Sequence, residues 1–380
     1  MTNFSSNAAT PERRDAAGRR IKVLIVDDSA VIRRLITQAL EEDPGIEVVG
    51  TAQNGVVALQ RIQQTNPDVV TLDVEMPEMD GIETLRRIRA AHRHVKVIMF
   101  STLTGRGATT TMEALSLGAG DYVTKASNAG SLDKSLQALR TELLPKIKQF
   151  FQSPAALPKP PMTQRPAIRV AANAAKTVTP EVLVIGVSTG GPTALNDIMP
   201  LIPANFPLPI LIVQHMPPIF TKLLAERLSS RCKIRVEEAR NGMPVEPGRA
   251  LIAPGDFHMR VAGQPGRVKI ILDRGPQENS CRPAVDPLFR SAGEVWGPST
   301  IGVILTGMGQ DGLLGAEALR TKGAFLIAQD EASSVVWGMP GFVARAGLAD
   351  KVLPLRMVIP EILERCQIGS RSVRASQAPR

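Results

Sequence analysis

Strand-length apolar runs with no polar face alternate with helical patterns along nearly the whole chain. Val182-Leu183-Val184-Ile185 and Ile210-Leu211-Ile212-Val213 are examples. A strand with no polar side must be covered on both faces, which requires a parallel sheet with helices packed above and below. In the first half, such strands are expected at 21–28, 46–52, 68–73, 95–101 and 121–126. Val31, Leu35, Ala39 and Leu40 form a helical stripe after the first strand, and Leu132, Leu136, Leu139 and Leu143 form one after the last. This pattern predicts a five-stranded, doubly wound α/β domain. In the second half, strands are expected at 182–188, 210–215, 234–238, 250–253, 268–272, 301–306 and 325–329, with a helix over 313–319. That half reads as a second α/β domain with a mostly parallel sheet. Short Gly/Pro turns between 250 and 273 predict an antiparallel hairpin there.

Between the halves, Pro154, Pro158, Pro160, Pro161, Pro166 and Pro180 stand among many alanines. This composition suits neither a helix interior nor a paired strand and reads as a semi-extended linker. The expected organisation is a tail at 1–20, a domain at 21–148, a linker at 149–180, a domain at 181–366 and a basic tail at 367–380. No fixed-period repeat is visible.

The net charge of +9 first points toward nucleic acid. Its distribution does not. Residues 1–20, 151–180 and 366–380 carry +2, +4 and +3, the whole excess. Aromatic residues are 3% of the chain, too few for a base-stacking platform. No nucleic-acid partner is expected. No apolar run approaches the roughly 20 residues of a membrane span, and no secretory h-region precedes the first domain. Cys232, Cys281 and Cys366 are widely spaced, odd in number and without CxxC spacing, so they read as reduced, incidental thiols of a cytoplasmic protein.

Asp27, Asp28, Asp73, Ser101 and Lys125 all fall at the carboxyl ends of strands expected in the first domain. Ligands of doubly wound sheets sit at those ends. Three converging carboxylates require a cation, and Mg2+ suits an all-oxygen donor set that leaves room for a phosphate. A carboxylate accepting a phosphoryl group, with the metal and a lysine neutralising charge, fits this set.

In the second domain, Gly186-Val187-Ser188-Thr189-Gly190 matches G-x-S-x-G at a strand-to-helix turn. Ser188 is the candidate nucleophile, and the Thr189 N–H, directly after it, is a natural oxyanion donor. A phosphate-binding loop is the competing reading, although neither the Walker lysine nor G-x-G-x-x-G is present. His215 closes the next strand and is the candidate base. His258 is expected in a loop, either lining the cleft or merely on the surface. Asp311, in a glycine-rich turn, is a candidate for the orienting acid, with Asp256, Asp286 and Asp330 as rivals. The chain order Ser, His, Asp excludes the α/β-hydrolase fold, although the same chemical trio recurs on unrelated folds.

Residues 21–140 resemble a response-regulator receiver, a flavodoxin-like domain, through Asp27-Asp28, Leu72-Asp73-Val74-Glu75-Met76-Pro77, Asp80-Gly81, Ser101 and Lys125. The resemblance implies phosphorylation at Asp73, Mg2+ held by Asp27, Asp28 and Asp73, and Ser101 and Tyr122 as switch residues beside Lys125. Ala126 departs from the family's proline. Residues 181–365 resemble the catalytic domain of the CheB chemotaxis protein-glutamate methylesterases. The matching stretches are 186–192, 213–217, 253–259, 282–289 and 305–312, with Pro287 replacing the more usual branched residue. This implies a Ser188–His215–Asp311 triad with Thr189 and Met308 lining the oxyanion site. It also implies demethylation and glutamine deamidation of chemoreceptors, a histidine kinase as phosphodonor, and a receiver that covers the catalytic cleft until phosphorylated. A monomer is expected, with no cofactor for the ester chemistry. The alternative is a response regulator whose output domain only binds an anion or a partner.

Overall fold

The computed structural model describes residues 19–101, 105–125, 132–151 and 178–367. Ala126, most of the expected linker and most of both tails lie outside the described residues. The chain divides into two compact units, one from residues 1–103 and 121–157, the other from 104–120 and 158–380.

In the first unit, β1 (Ile21–Val26), β2 (Ile46–Ala52), β3 (Val69–Asp73), β4 (Lys96–Ser101) and β5 (Asp121–Thr124) form one sheet in the order β2-β1-β3-β4-β5. Every neighbouring pair is parallel. Val23, Leu24, Ile25 and Val26 are sealed from solvent on both faces, as the unbroken apolar run requires. Helix α1 (Ala30–Glu41) starts where the Ser29 hydroxyl accepts the Ile32 N–H, and α3 (Gly81–Ala91) where the Asp80 carboxylate accepts the Glu83 N–H. These caps satisfy donors left over at a helix start. Helix α2 (Gly55–Thr65) is capped the same way by Asn54, and α4 (Gly105–Ser116) links β4 to β5 in sequence. After α5 (Leu132–Lys148), residues 149–151 make a short 3-10 turn, with Phe150 and Phe151 packed on the first core. Folded structure therefore runs past the expected boundary at 148, because two phenylalanines there find apolar cover.

The second unit holds a seven-stranded sheet in the order β14-β13-β12-β6-β7-β9-β8. Its strands are β6 (Val182–Val187), β7 (Ile210–Gln214), β8 (Arg235–Glu238), β9 (Arg249–Ile252), β12 (Thr300–Ile304), β13 (Phe325–Gln329) and β14 (Lys351–Leu353). All the pairings are parallel. The expected antiparallel hairpin is present as a separate two-stranded sheet, β10 (His258–Ala262) with β11 (Lys269–Asp273). Strand β14 escaped the sequence reading because three residues at an edge need no apolar run. The helices that follow β6 in sequence are α6 (Gly191–Ile198), α7 (Phe220–Ser229), α8 (Val285–Trp296), α9 (Leu313–Thr321), α10 (Met339–Arg345) and α11 (Leu355–Arg365). Among the described residues, no helix is long and apolar enough to cross a membrane.

Strands β12, β6 and β7 are adjacent, with Ile304 opposite Gly186 and Gly186 opposite Val213. The chain winds outward from β6 through β7 on one side and through β12 on the other, so the sheet's switch point lies at the carboxyl ends of β6 and β12. Gly186 lets the start of α8 press onto β6. A Cβ there would lie 2.5 Å from Val285 Cγ1 and 2.8 Å from its Cγ2. Gly186→Ala should therefore destabilise the protein by about 1–3 kcal/mol through overpacking. Urea unfolding of the full chain measures this, and an unchanged midpoint would contradict the packing described.

Candidate active site

In the first unit, Asp73 ends β3 while Asp27 follows β1, the pair of strands at which the winding reverses. Asp27, Asp73 and Ser101 are buried, and Asp28 is exposed. Lys125 Nζ lies 2.9 Å from Asp27 Oδ2 and 2.7 Å from Asp73 Oδ2. The Lys125 N–H donates to the Ser101 carbonyl at 2.7 Å, tying the end of β5 to the end of β4. Burial foremost, and then the Asp27 charge, pushes the Asp73 carboxyl up to about 6 against the opposing pull of Lys125. Burial works against the Lys125 ammonium, but its contacts with Asp73 and Asp27 more than offset this and hold it above its ordinary range. Tyr122 is buried one residue into β5, and burial raises its phenol well above the usual value.

One oxygen from each of Asp27, Asp28 and Asp73 can be chosen so that all lie within 4.8 Å of one another. Three carboxylates against one lysine leave a surplus of negative charge on hard oxygen donors. That donor set fits Mg2+, which prefers oxygen ligands and keeps water for an incoming phosphate.

In the second unit, the adjacent ends of β12, β6 and β7 bring distant residues together. Ser188 follows β6, and its N–H donates to the Thr306 carbonyl beyond β12 at 3.0 Å. Its carbonyl accepts from Gly191 N–H at 2.8 Å and from Gln214 Nε2 at 2.9 Å. His215 follows β7, and its N–H donates to the Val187 carbonyl at 3.2 Å. Val187 pairs with Gln214, so Ser188 and His215 are the next residues along two strands spaced about 4.8 Å apart. Ser188 and Thr189 are partly exposed, and helix α6 begins three residues after Ser188. Gly307 packs directly on the serine, since a Cβ there would lie 2.7 Å from Ser188 Cβ. Met308, the next residue, is 36% exposed at the same rim.

His215 Nε2 lies 2.7 Å from Asp311 Oδ2. Asp311 is buried and also accepts N–H bonds from Val285 (2.6 Å), Asp286 (3.2 Å) and Gly312 (2.9 Å), and one from Asn279 Nδ2 (2.9 Å). Burial opposes the Asp311 charge. The bonds from His215 and from the α8 backbone overcome it and hold the carboxyl below its ordinary range. The rival acids are committed elsewhere. Asp256 pairs with Arg282 and Arg274, and Asp330 accepts from Ser333. Asp286 accepts from Gly315 N–H and Asn279, and burial together with the Asp311 charge pushes it up to about 6.

His258 stands apart from its expected place in a loop. It is the first residue of β10, fully buried, with Nε2 2.9 Å from the Pro276 carbonyl and Nδ1 accepting the Ala284 N–H at 3.3 Å. Both ring nitrogens are occupied in holding the segment that leads into α8.

Sequence reasoning missed Asn279 and Cys281. Both sit in a tight turn closed by reciprocal backbone bonds between Glu278 and Cys281 at 3.2 and 2.9 Å. Asn279 and Ser280 take φ of 52° and 60°, the paired positive values of a type I′ turn. Cys281 Sγ lies 3.6 Å from His215 Nδ1. Burial would lower the His215 pKa, but the Cys281 sulfur and Asp311 outweigh it and raise the imidazole above its ordinary range.

Residues 183–362 match the CheB methylesterase family and residues 23–137 the response regulator receiver domain. A protein-glutamate methylesterase/protein-glutamine glutaminase of Trichodesmium erythraeum is 50% identical over 350 residues, 91% of this chain and 99% of that protein. One bearing the same name from a Nocardioides species is 49% identical over 349 residues, 91% of this chain and 95% of its own. The Thermotoga maritima CheB methylesterase catalytic domain is similar with 48% identity and a TM-score of 0.48, covering 49% of this chain and 99% of that domain.

The His215 ring should titrate above the ordinary value of about 6.5, and Asp311→Asn should lower its midpoint by removing the charge that favours imidazolium. With four histidines in the chain, ring-proton NMR can follow each. A His215 midpoint at or below the ordinary value would exclude the contacts described.

Proposed function

Because the chain belongs to the protein-glutamate methylesterase/protein-glutamine glutaminase family, we propose that it hydrolyses glutamate methyl esters on chemoreceptors and deamidates particular glutamines there, under control of phosphorylation at Asp73. The observation that supports this reading is the 2.7 Å contact between His215 Nε2 and Asp311, with His215 following Gln214, the strand partner of the residue before Ser188. A binding-only output domain, with 188–191 as an anion loop, gives that buried pair no task.

The hydrogen bond to Asp311 keeps a proton on Nε2 and leaves Nδ1 as the base. The Ser188 hydroxyl gives its proton to Nδ1 as Oγ attacks the side-chain carbonyl of the substrate. Asp311 stabilises the imidazolium that forms and fixes the ring's tautomer. Backbone N–H groups of Thr189 and Met308 receive the oxyanion, a contribution typically worth about 3–4 kcal/mol. His215 then protonates the leaving methoxide, and water, deprotonated by the same nitrogen, releases the acyl group from Ser188. Ammonia replaces methanol when the substrate is a glutamine. A neutral His215 is required, so the raised pKa places the rising limb of the pH–rate profile on the alkaline side of an ordinary histidine's.

In the first unit, Asp27, Asp28 and Asp73 would hold Mg2+, which when bound neutralises charge on the phosphoryl oxygens. Asp73 accepts the phosphoryl group from a histidine kinase, and Lys125, already 2.7 Å from Asp73, balances the added charge. Ser101 and Tyr122 are the switch residues that respond, and relief of a receiver block on the cleft is the consequence for catalysis. The protein works in the cytoplasm, where receptor signalling domains and the kinase are found.

Ser188→Ala should cut methanol release from methylated receptor by at least about a thousand-fold while the protein stays folded by circular dichroism. Retained release would reject the nucleophile. Asp73→Asn should remove the stimulation of methanol release by a small-molecule phosphodonor with Mg2+, leaving basal release in place. Stimulation that persists would reject Asp73 as the acceptor.

A further inference from the structure

The catalytic base has a second neighbour. With Nε2 given to Asp311, the other ring nitrogen of His215 faces Cys281 Sγ at 3.6 Å. Sulfur, imidazole and carboxylate thus stand in a row, Cys281–His215–Asp311, the order in which cysteine hydrolases activate a thiol. Cys281 is partly exposed, and Ser280, the residue before it, is exposed. Its turn is held on both sides. Glu278 pairs with Arg290 through both carboxylate oxygens, at 2.7 and 2.8 Å, and Arg282 pairs with Asp256. The sulfur is therefore held against the ring in a residue that is partly open to solvent. At Cys232 and Cys366, by contrast, burial pushes the thiol up to about 11.

We propose that Cys281 is a modification site at which peroxide reversibly switches the hydrolase off. The thiol proton passes to Nδ1 of His215. The thiolate attacks one peroxide oxygen, an S–O bond forms as the O–O bond breaks, and the leaving hydroxide takes the proton back from His215 as water. Cysteine is oxidised by two electrons to sulfenic acid, and the peroxide is reduced. The added oxygen lies on the Nδ1 side of the ring, where the Ser188 hydroxyl must deliver its proton. A thiol reductant restores the sulfur and reopens that position. The loss of activity rests on the hydrolase reading above, whereas the reactivity of the thiol does not.

The test uses the full-length protein, hydrogen peroxide and dimedone as the trap for sulfenic acid, with peptide mapping of all three cysteines. Trapping at Cys281 is expected at least about tenfold faster than at Cys232 or Cys366, and slowed by a similar factor in His215→Ala. Methanol release should fall in step with Cys281 oxidation and return with dithiothreitol. Cys281→Ser, measured against its own untreated activity, should hold that activity through the same exposure. Equal trapping at the three thiols overturns the proposal, as does trapping at Cys281 with hydrolysis unaffected, or a Cys281→Ser variant that loses activity as fast as the parent. If methanol release is absent before any peroxide is added, the hydrolase reading has failed, and trapping alone still decides whether Cys281 is the reactive thiol.

Discussion

The second unit is organised around one buried charge. A carboxylate sealed from water is costly unless hydrogen bonds replace the hydration it lost. Asp311 receives five donors, from the His215 ring, from Asn279, and from the backbone of Val285, Asp286 and Gly312. Two of these N–H groups belong to the first residues of α8, whose positive end favours an anion. One carboxylate therefore fastens the loop after β12, the start of α8, the 278–281 turn and the end of β7 to a common point. The ring of His215 takes its orientation from that point, and so does the tautomer that leaves Nδ1 to act as base.

Both units place their chemistry by the same rule. Parallel strands expose their carboxyl ends on one rim, and reversal of the winding leaves a crevice there. In the first unit, β1 and β3 bring Asp27 and Asp73 to that rim, with Lys125 between them. In the second, β12, β6 and β7 bring together residues 306–311, 188 and 215, which are far apart in the chain. The two sites differ in what balances their charge. The first combines surplus carboxylates with a lysine and suits a metal, while the second gives Asp311 a full set of hydrogen bonds.

Continuous apolar runs made the parallel core legible, and residues at strand ends pointed to both sites because burial on two faces leaves only the ends for chemistry. What lay hidden depended on tertiary placement. His258 follows a Pro-Gly-Asp turn signal, so it read as a loop residue, yet cross-strand pairing with β11 draws it into β10 and seals it. Asp256 and Asp286 could not be separated from Asp311 by spacing, since ion pairing with Arg282 and burial against α9 are visible only in three dimensions. Cys281 seemed incidental because a thiol's character comes from its neighbour, and His215 is distant in sequence. Asn279 carried a faint signal, as asparagine tolerates the left-handed conformation its turn requires.

The rims of the seven-stranded sheet have a bearing on solubility. A parallel sheet of this width ends in two strands with unsatisfied backbone groups, each a template for an incoming chain. At one end β14 is only three residues long and opens with Lys351, and at the other β8 reads Arg235-Val236-Glu237-Glu238, with Arg235 paired to Glu237 within the strand. Brevity guards one border and alternating charge the other. Strand-by-strand accretion between copies is thereby discouraged during the slow assembly of long-range parallel pairings.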